Sequence, residues 1–186
     1  HDVDAVCLYA PEAARRAAAV GSHREAIGHY RVALEHADRF EAPTRADLLE
    51  SLSIECYLTG RSAEAVAARS EAVLLREALG EEGRTGAGLR WLSRMRWWNG
   101  ERAAAEEAAA RAIEVLEPLG PSHDLAMAYS NRSQLDMLAH RLDSAIAWAN
   151  RAIDLAERLG DRHTLSHALT NIGSARLHLR DPAGVD

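Results

Sequence analysis

Apolar residues recur along this sequence three and four positions apart, which is the spacing of one face of an α-helix. Between residues 44 and 60, for example, Leu48, Leu49, Leu52 and Cys56 follow this pattern. No segment alternates apolar and polar residues between turn residues, as a half-buried β-strand would. The pattern therefore predicts an all-α protein.

The ends of the helices are marked by residues with side-chain oxygens and by glycines. A hydroxyl or carboxylate oxygen placed just before a helix accepts hydrogen bonds from the N–H groups of the first turn. Glycine adopts the left-handed conformation that commonly ends a helix. The expected N-caps are Thr44 (after Pro43), Ser62, Ser122 and Asp161, and the expected stops are Gly60, Gly80, Gly100 and Gly120.

A repeat of forty residues organises these helices. The frame E-x-L-G occurs at residues 77–80, 117–120 and 157–160. We call a set of positions that lie forty residues apart and carry the same residue type a column. Because the chain holds 37 alanines, chance can supply a column of alanines. Chance does not supply columns of Ser, Gly, Glu and Leu together. Other columns with the same step are Ser53, Ser93 and Ser133; Ala65, Ala105 and Ala145; and Ala72, Ala112 and Ala152.

Each repeat unit is predicted to be a pair of antiparallel helices, packed closely where the side chains are small. One pair cannot bury its apolar stripe alone, so the units must stack into a right-handed solenoid of about nine helices. Residues 1–186 are interpreted as a single repeat domain that is a fragment of a longer protein. The predicted units span residues 4–40, 44–80, 82–120 and 121–160, followed by a lone first helix at 161–179.

Charge and composition exclude several classes of protein. The 186 residues contain 22 arginines, no lysine and 28 acidic residues, giving a net charge of -6, which disfavours direct binding of nucleic acid. No apolar run approaches the ~18 residues that a membrane span needs. Cys7 and Cys56 stand far apart in unlike contexts, so no disulfide framework is predicted and a reducing, cytoplasmic location is favoured.

The residue types that carry chemistry do not assemble into a catalytic or cofactor motif. A P-loop needs a lysine, which this chain lacks, so the glycine cluster at residues 83–88 is interpreted as a turn between repeats. His163 and His167 share a helix face, but no third metal ligand accompanies them. The serines that recur once per repeat indicate packing rather than nucleophiles. We therefore predict no metal, no cofactor and no enzymatic activity in this segment.

The columns resemble those of the tetratricopeptide repeat (TPR). Y-S-N-R-S-Q-L at residues 129–135 and L-T-N-I-G-S-A at 169–175 resemble the opening of its first helix. The period is longer than the TPR's 34 residues. The aromatic residue of the TPR's second helix is replaced by Arg69, Ala109 and Ala149 and kept only as Tyr30.

A narrower resemblance covers nearly the whole chain. Residues 9–26, 55–61, 89–94 and 125–131 look like the helical-repeat region of large bacterial transcriptional regulators of the LuxR type that bind ATP. In that family an ATPase module precedes the repeats and a helix-turn-helix DNA-binding domain follows them. The resemblance implies that this segment is the sensor and interaction arm of such a regulator.

The resemblance to the TPR also implies a concave groove lined by the first helix of each pair. Arg90 and Arg94 lie one turn apart beside Trp97 and can clamp an anion, although the tryptophans can also simply fill space and Arg90 can pair with Glu50. The positions expected to face the groove are Asp47, Glu50, Ile54, Tyr57, Arg90, Arg94, Trp97, Met127, Ser130, Gln134, Met137, Thr170 and Ser174, of which Glu50, Tyr57, Arg90, Arg94, Trp97, Ser130, Gln134 and Met137 are the predicted partner-binding residues.

These features together predict a non-catalytic domain that binds a protein, a peptide or a small effector and relays binding through a change in the packing of the solenoid. Two alternatives stay open. One is a self-association module that forms a homodimer through the uncapped C-terminal repeat, and the other is a stand-alone adaptor. An enzyme is the third class, and no constellation of residues favours it.

Overall fold

A computed structural model describes residues 2–178, which form nine α-helices and no β-strand. The prediction of an all-α helical solenoid is confirmed. Residue 179, predicted to end the last helix, lies outside the described residues. The helices are α1 (Val3–Ala19), α2 (His23–Leu34), α3 (Ala42–Leu58), α4 (Ser62–Ala78), α5 (Glu82–Trp98), α6 (Arg102–Leu116), α7 (His123–Leu138), α8 (Leu142–Leu159) and α9 (Arg162–His178), with short 3-10 helices at Ala37–Arg39 and Glu117–Leu119.

Consecutive helices pack as pairs, and the pairs stack in chain order. The pairs are α1 with α2, α3 with α4, α5 with α6, and α7 with α8, while α9 packs on both α7 and α8. Helix α5 also packs on α7, so α5, α7 and α9 lie side by side in one layer. Side chains on these odd-numbered helices therefore share one face of the solenoid. Within residues 2–178, no helix combines the length and the apolar character required to cross a membrane.

The repeated small residues occupy the contact inside each helix pair. Ser133 Oγ donates a hydrogen bond to the carbonyl oxygen of Ala145 at 2.8 Å, so these two positions face each other across α7 and α8 as predicted. A larger side chain at either position would push the two helices apart. Six side chains of these columns are fully buried: Ser53, Ser93, Ser133, Ala65, Ala105 and Ala145.

Two buried asparagines join successive repeats. Asn131 Nδ2 donates to Ser93 Oγ at 2.9 Å, and forty residues later Asn171 Nδ2 donates to the carbonyl oxygen of Ser130, also at 2.9 Å. Each bond connects the first helix of one pair to the first helix of the pair before it. Because a buried amide must find partners, these bonds fix the register between neighbouring repeats.

Two of the four expected N-caps are confirmed, and two are wrong. Ser122 Oγ accepts from the backbone N–H of Leu125 at 3.2 Å, and Asp161 Oδ1 accepts from the N–H of Thr164 at 3.0 Å. Helix α3 begins before Thr44, since proline is tolerated in a first turn and Pro43 therefore does not delay the helix.

Ser62 is the first residue of α4 rather than its cap. The chain turns at Gly60, which has a φ of 75°, and the N–H of Arg61 then bonds to the carbonyl oxygen of Cys56 at 2.8 Å. This tight closure of α3 leaves a single residue, Arg61, between the turn and the next helix. The N-cap position therefore falls on Arg61, whose side chain makes no capping bond.

The glycine cluster at residues 83–88 lies inside α5, so its interpretation as a turn between repeats is wrong. A Cβ on Gly86 would lie 2.4 Å from Leu116 Cγ, and a Cβ on Gly88 would lie 3.0 Å from Val73 Cγ2. These glycines permit close approach of α5 to its neighbours α6 and α4. Close packing outweighs the low helix propensity of glycine here.

Candidate ligand-binding groove

The odd-numbered helices α3, α5, α7 and α9 converge on a cavity of about 490 Å³, which we call the inner cavity. Its walls mix guanidinium, imidazole and carboxylate groups with aromatic and thioether side chains. This composition suits a ligand that is partly charged and partly apolar. The lining residues are Tyr57, Arg90, Trp91, Arg94, His123, Asp124, Met127, Asp161, His163, Thr164 and His167.

Arg90 is a half-buried cation whose hydrogen-bonding capacity is not used. Its guanidinium carbon lies 4.2 Å from the centroid of the Trp91 ring, in cation–π contact. Its buried Nε has no partner, and no carboxylate among residues 2–178 pairs with it. Burial lowers the pKa of Arg90 to about 10; Asp124 opposes this shift, while Arg69 and Arg94 add to it. Arg90 therefore presents a desolvated positive charge to the cavity.

Arg94 lies one helical turn further along α5 and is held by neutral groups. Its Nε donates to Tyr57 Oη at 2.8 Å, and its Nη1 donates to Gln134 Oε1 at 3.4 Å. The guanidinium carbon is 5.8 Å from the centroid of the Tyr57 ring. Neither partner is charged, so Arg94 forms no ion pair with them beside Arg90.

The α9 wall contributes an imidazole that favours its neutral form. Burial lowers the pKa of His167, and the charges of Arg94, His163 and Arg90 act in the same direction. His167 Nδ1 lies 2.7 Å from Ser130 Oγ, a distance typical of a nucleophile and its base. Ser130 is fully buried, so a substrate has no access to this hydroxyl. The pair therefore serves the contact between α7 and α9.

Two aspartates balance the arginines of the inner cavity. Burial opposes ionisation of Asp161, but hydrogen bonds from Thr164 and His123 outweigh it and lower the pKa of Asp161 to about 2. Asp124 is exposed at the edge of the cavity. With two arginines against two aspartates, the cavity suits a single carboxylate better than a polyanion.

A second cavity of about 420 Å³ adjoins the first, and we call it the Arg69 cavity. It lies between α3, α4 and α5 and shares Trp91 and Asp124 with the inner cavity. The two cavities are therefore neighbouring halves of one groove. The lining residues are Glu50, Ser51, Ile54, Arg69, Gly83, Arg84, Ala87, Gly88, Trp91 and Asp124.

The structure brings four of the eight predicted partner-binding residues to the inner cavity or its edge. Tyr57, Arg90 and Arg94 line it, and Gln134 bonds to Arg94. Glu50 lines the Arg69 cavity instead. Among the further groove positions, Met127 lines the inner cavity and Ile54 the Arg69 cavity. Met137 is half-buried and lines neither half of the groove.

Two predicted contacts are corrected by the packing. Ser130 is fully buried against α9 because its hydroxyl bonds to His167, so it cannot touch a ligand. Trp97 does not line the inner cavity with Arg90; it lies beneath the guanidinium of Arg102, whose carbon is 5.4 Å from its ring centroid. The tryptophan that lines the inner cavity is Trp91.

The ion pair between Arg90 and Glu50, which was the alternative to a ligand-binding role for Arg90, is not formed. The Glu50 carboxylate instead accepts hydrogen bonds from Arg76 Nε and Arg84 Nη2, both at 2.9 Å. Arg76 was not singled out in the sequence because spacing along the chain does not reveal contacts between helices. The Glu50 carboxylate therefore belongs to an ion cluster with Arg76 and Arg84 rather than to Arg90.

Arg69 is a further groove residue that was not predicted from the sequence, although one signal for it was present. Arg69 occupies the column that holds Ala109 and Ala149 in the next two repeats. An arginine in a column of buried alanines indicates a side chain that must either pair inside the fold or face a cavity. No similar column marks Asp124.

No metal site is evident in the part of the chain that the structure describes. Among residues 2–178, no three His, Cys, Asp or Glu side chains come together in an arrangement that could hold an ion. His163 and His167 both line the inner cavity, but no third ligand joins them among the described residues.

The arrangement of helices was compared with those of known proteins to establish the fold. No protein-family model matches the chain, and no curated protein matches its sequence. The apo form of RapI superposes with a TM-score of 0.87 at 14% identity, over 96% of this chain and 66% of RapI. BtubC from P. vanneervenii superposes with a TM-score of 0.77 at 18% identity, over 99% and 87% of the two chains.

A third solved structure supplies the name of the repeat. TPR-like repeats from Podosopora anserina, named for the kinesin light chain, superpose with a TM-score of 0.75 at 15% identity, over 94% of this chain and 86% of theirs. This chain has the TPR-like fold. Identities this low show the fold alone. TPR-like repeats generally present extended surfaces that mediate protein–protein interactions.

Proposed function

We propose that this chain is a non-catalytic protein-interaction and effector-sensing domain, whose inner cavity binds a carboxylate of a peptide or small effector. One observation carries the proposal. Arg90 and Arg94 face the same cavity one helical turn apart, and neither has a carboxylate partner among the described residues. A ligand carboxylate would supply the missing acceptor through charge-assisted hydrogen bonds.

The rest of the cavity fits the remainder of such a ligand. Trp91 and Met127 offer apolar surface next to the arginines, and a flexible thioether adapts to varied side chains. Aromatic residues and arginine are the types that contribute most binding energy in protein interfaces. We therefore expect an apolar group close to the ligand carboxylate.

We further propose that the domain is the sensing arm of a bacterial transcriptional regulator of the LuxR type that binds ATP. The sequence segments described above support this context, and binding in the groove would act by shifting the packing of α5 against α7 and α9. A cytoplasmic location is favoured by Cys7 and Cys56, which are free thiols. No cofactor is expected within this segment.

The regulator context is tested by the native reading frame on both sides of the segment. A P-loop containing lysine upstream and a helix-turn-helix downstream would support the regulator. A start codon just before His1 together with a stop codon soon after Asp186 would contradict it, and the chain would then be a small adaptor.

The ligand class is tested with a displayed library of random peptides, selected on the wild-type chain. We expect enriched peptides to share an acidic group beside an apolar residue, and to lose binding to a variant carrying Arg90→Met and Arg94→Met. The matched control is Arg102→Met, which removes a guanidinium that stacks on Trp97 outside the inner cavity. Enriched peptides that bind the double variant as well as the wild type would overturn the proposal.

A second candidate function is self-association through the outer face of α9. Leu169 and Leu177 lie two turns apart on this helix, and they are 50% and 53% exposed. Apolar side chains aligned in this way are typical of a surface that meets another copy or another protein. Light scattering of the wild type and of Leu169→Glu tests it: a wild-type dimer that Leu169→Glu dissociates supports self-association, and a wild-type monomer at high concentration refutes it.

A further inference from the structure

The Arg69 cavity is built around a buried cation with unmet hydrogen-bonding capacity. Arg69 projects from α4 and is only 4% exposed. Its Nη2 donates to the backbone carbonyl oxygen of Glu50 at 2.9 Å, while its buried Nε has no partner. An arginine so deeply buried normally pairs with a carboxylate, because leaving charge and donors unsatisfied is costly.

The carboxylates of Glu50 and Asp47, on the neighbouring helix α3, are committed to other arginines. The Glu50 carboxylate accepts from Arg76 and Arg84, and Asp47 bonds to the same two guanidinium groups. Burial lowers the pKa of Arg69 to about 10; Glu50 opposes this shift, while Arg76 and Arg84 add to it. No carboxylate among residues 2–178 forms an ion pair with Arg69, although Arg69 faces a cavity of about 420 Å³.

We propose that the Arg69 cavity is a second carboxylate subsite, and that the groove takes an acidic peptide with one carboxylate in each half. The Arg69 subsite is supported by the burial of Arg69, by its unpartnered Nε and by the cavity that it lines. The assignment of a two-carboxylate peptide rests on the proposed function of the inner cavity.

The dimensions of the groove fit a short peptide segment. Along α5 the groove runs from Arg84 to Arg94, ten residues that span about 15 Å of helix. An extended chain covers about 3.4 Å per residue, so about four residues fill this length. Trp91 lines both halves and offers its ring to an apolar side chain between the two carboxylates.

The charges around the subsite favour a carboxylate over a phosphate. Glu50 and Asp124 line the Arg69 cavity together with Arg69 and Arg84. A dianionic phosphate would meet repulsion from both acidic side chains, whereas a single carboxylate adds only one negative charge beside Arg69.

The experiment follows the Nε–H resonances of arginine in the ¹⁵N-labelled full chain while sodium acetate replaces sodium chloride at constant ionic strength. Arg69→Met and Arg90→Met assign the two signals, because methionine keeps an apolar stem in place. Arg96 is the internal control: its Nε is also buried without a hydrogen-bond partner, with Glu101 Oε2 at 3.9 Å, but it lines neither half of the groove.

We expect saturable shifts of the Arg69 and Arg90 signals and no saturable shift of the Arg96 signal. An Arg69 signal that behaves like that of Arg96 would overturn the second subsite, because its unmet Nε would then be a packing feature. If Arg69 responds and Arg90 does not, the subsite stands and the proposed function of the inner cavity fails. If Arg90 alone responds, the proposed function of the inner cavity stands and the second subsite at Arg69 is wrong.

The single-ligand assignment is tested with linear dicarboxylates from glutarate to sebacate. We expect one of them to bind about tenfold more tightly than acetate, since each charge-assisted bond adds affinity. Arg69→Met should abolish that gain and leave the response of Arg90 to acetate unchanged. If no member of the series exceeds acetate, the two subsites do not serve one ligand and the acidic-peptide assignment is wrong.

Discussion

Arg76 and Arg90 lie in adjoining repeats and both face inward, but their surroundings differ completely. The Arg76 side chain is fully buried and bonds to Asp47, Glu50 and Glu81. Burial opposes its charge, yet the bonds to Glu50 and Asp47 raise the pKa of Arg76 above its usual range. Arg90 has no such partner among residues 2–178, and its burial lowers its pKa to about 10.

The difference distinguishes an arginine that stabilises the fold, Arg76, from an arginine that can bind a ligand, Arg90. The fold gives Arg76 three carboxylates, so this guanidinium has nothing left to offer a ligand. Arg90 instead borders a cavity and keeps open donors, as does Arg69 in the adjoining half of the groove. Burial alone does not indicate a binding arginine; burial without a carboxylate partner and beside a cavity does.

Replacing Arg76 should have the largest effect on stability. Arg76→Met leaves the partly buried carboxylate of Glu50 and the exposed carboxylate of Asp47 with one cation fewer, and we expect a loss of about 3 kcal/mol in the free energy of unfolding. Urea denaturation followed by circular dichroism measures it. The control is Arg111→Met, which removes a half-exposed ion pair with Glu77 and should cost less than about 1 kcal/mol. Equal losses in the two variants would contradict a special role for Arg76.

Glu50→Gln tests the ion cluster around Arg76 by removing one of its carboxylates. Arg76 keeps Asp47 and Glu81 in this variant, so we expect a smaller loss of about 1–2 kcal/mol. The affinity of Arg90 for acetate should stay the same, because Glu50 does not line the inner cavity. A marked change in that affinity would show that the two regions are coupled.

The repeat pattern predicted the fold well because a period of forty residues repeats both the apolar stripe and the small contacts. The ends of the helices were less certain: Thr44 and Ser62 have the right side chains for caps, but a nearby proline and the tight turn at Gly60 decide where the helices begin. Such effects depend on backbone geometry and are weakly encoded in residue type.

Only those groove residues that are related by spacing within one helix could be predicted from the sequence. The i,i+4 relation placed Arg90 and Arg94 together correctly, because it acts within one helix. Whether Trp91 or Trp97 joins them depends on how α5 is rotated against α3 and α7. The pairing of Glu50 with Arg76 likewise depends on packing between helices, and one sequence does not contain that information.

Replacing Arg90 should hardly change stability. Arg90→Met removes a desolvated cation that lacks a carboxylate partner, so we expect the free energy of unfolding to change by less than about 1 kcal/mol, or to rise. The same urea titration measures it. A loss as large as that of Arg76→Met would mean that Arg90 is a structural residue after all, and the contrast between the two arginines would fail.

The smallest expected effect is a dependence of stability on pH through His167. Because the folded protein lowers the pKa of His167, the unfolded chain binds the proton more readily below its ordinary pKa of about 6.5. Stability should therefore fall as the pH drops from 7.5 to 5.5, and His167→Gln should lose less over this range than the wild type. If both proteins lose the same amount, His167 is not held neutral by its burial and by the neighbouring charges of Arg94, His163 and Arg90.

The most direct test of the contrast compares Arg76 and Arg90 in one spectrum. Acetate is titrated into the ¹⁵N-labelled protein at constant ionic strength, and the Nε–H signals of both residues are followed, with Arg76→Met and Arg90→Met as assignments. We predict a saturable shift of the Arg90 signal and a stationary Arg76 signal, because carboxylates already occupy the donors of Arg76. A stationary Arg90 signal, or equal shifts of both, would contradict the assignment of the inner cavity as a carboxylate-binding site.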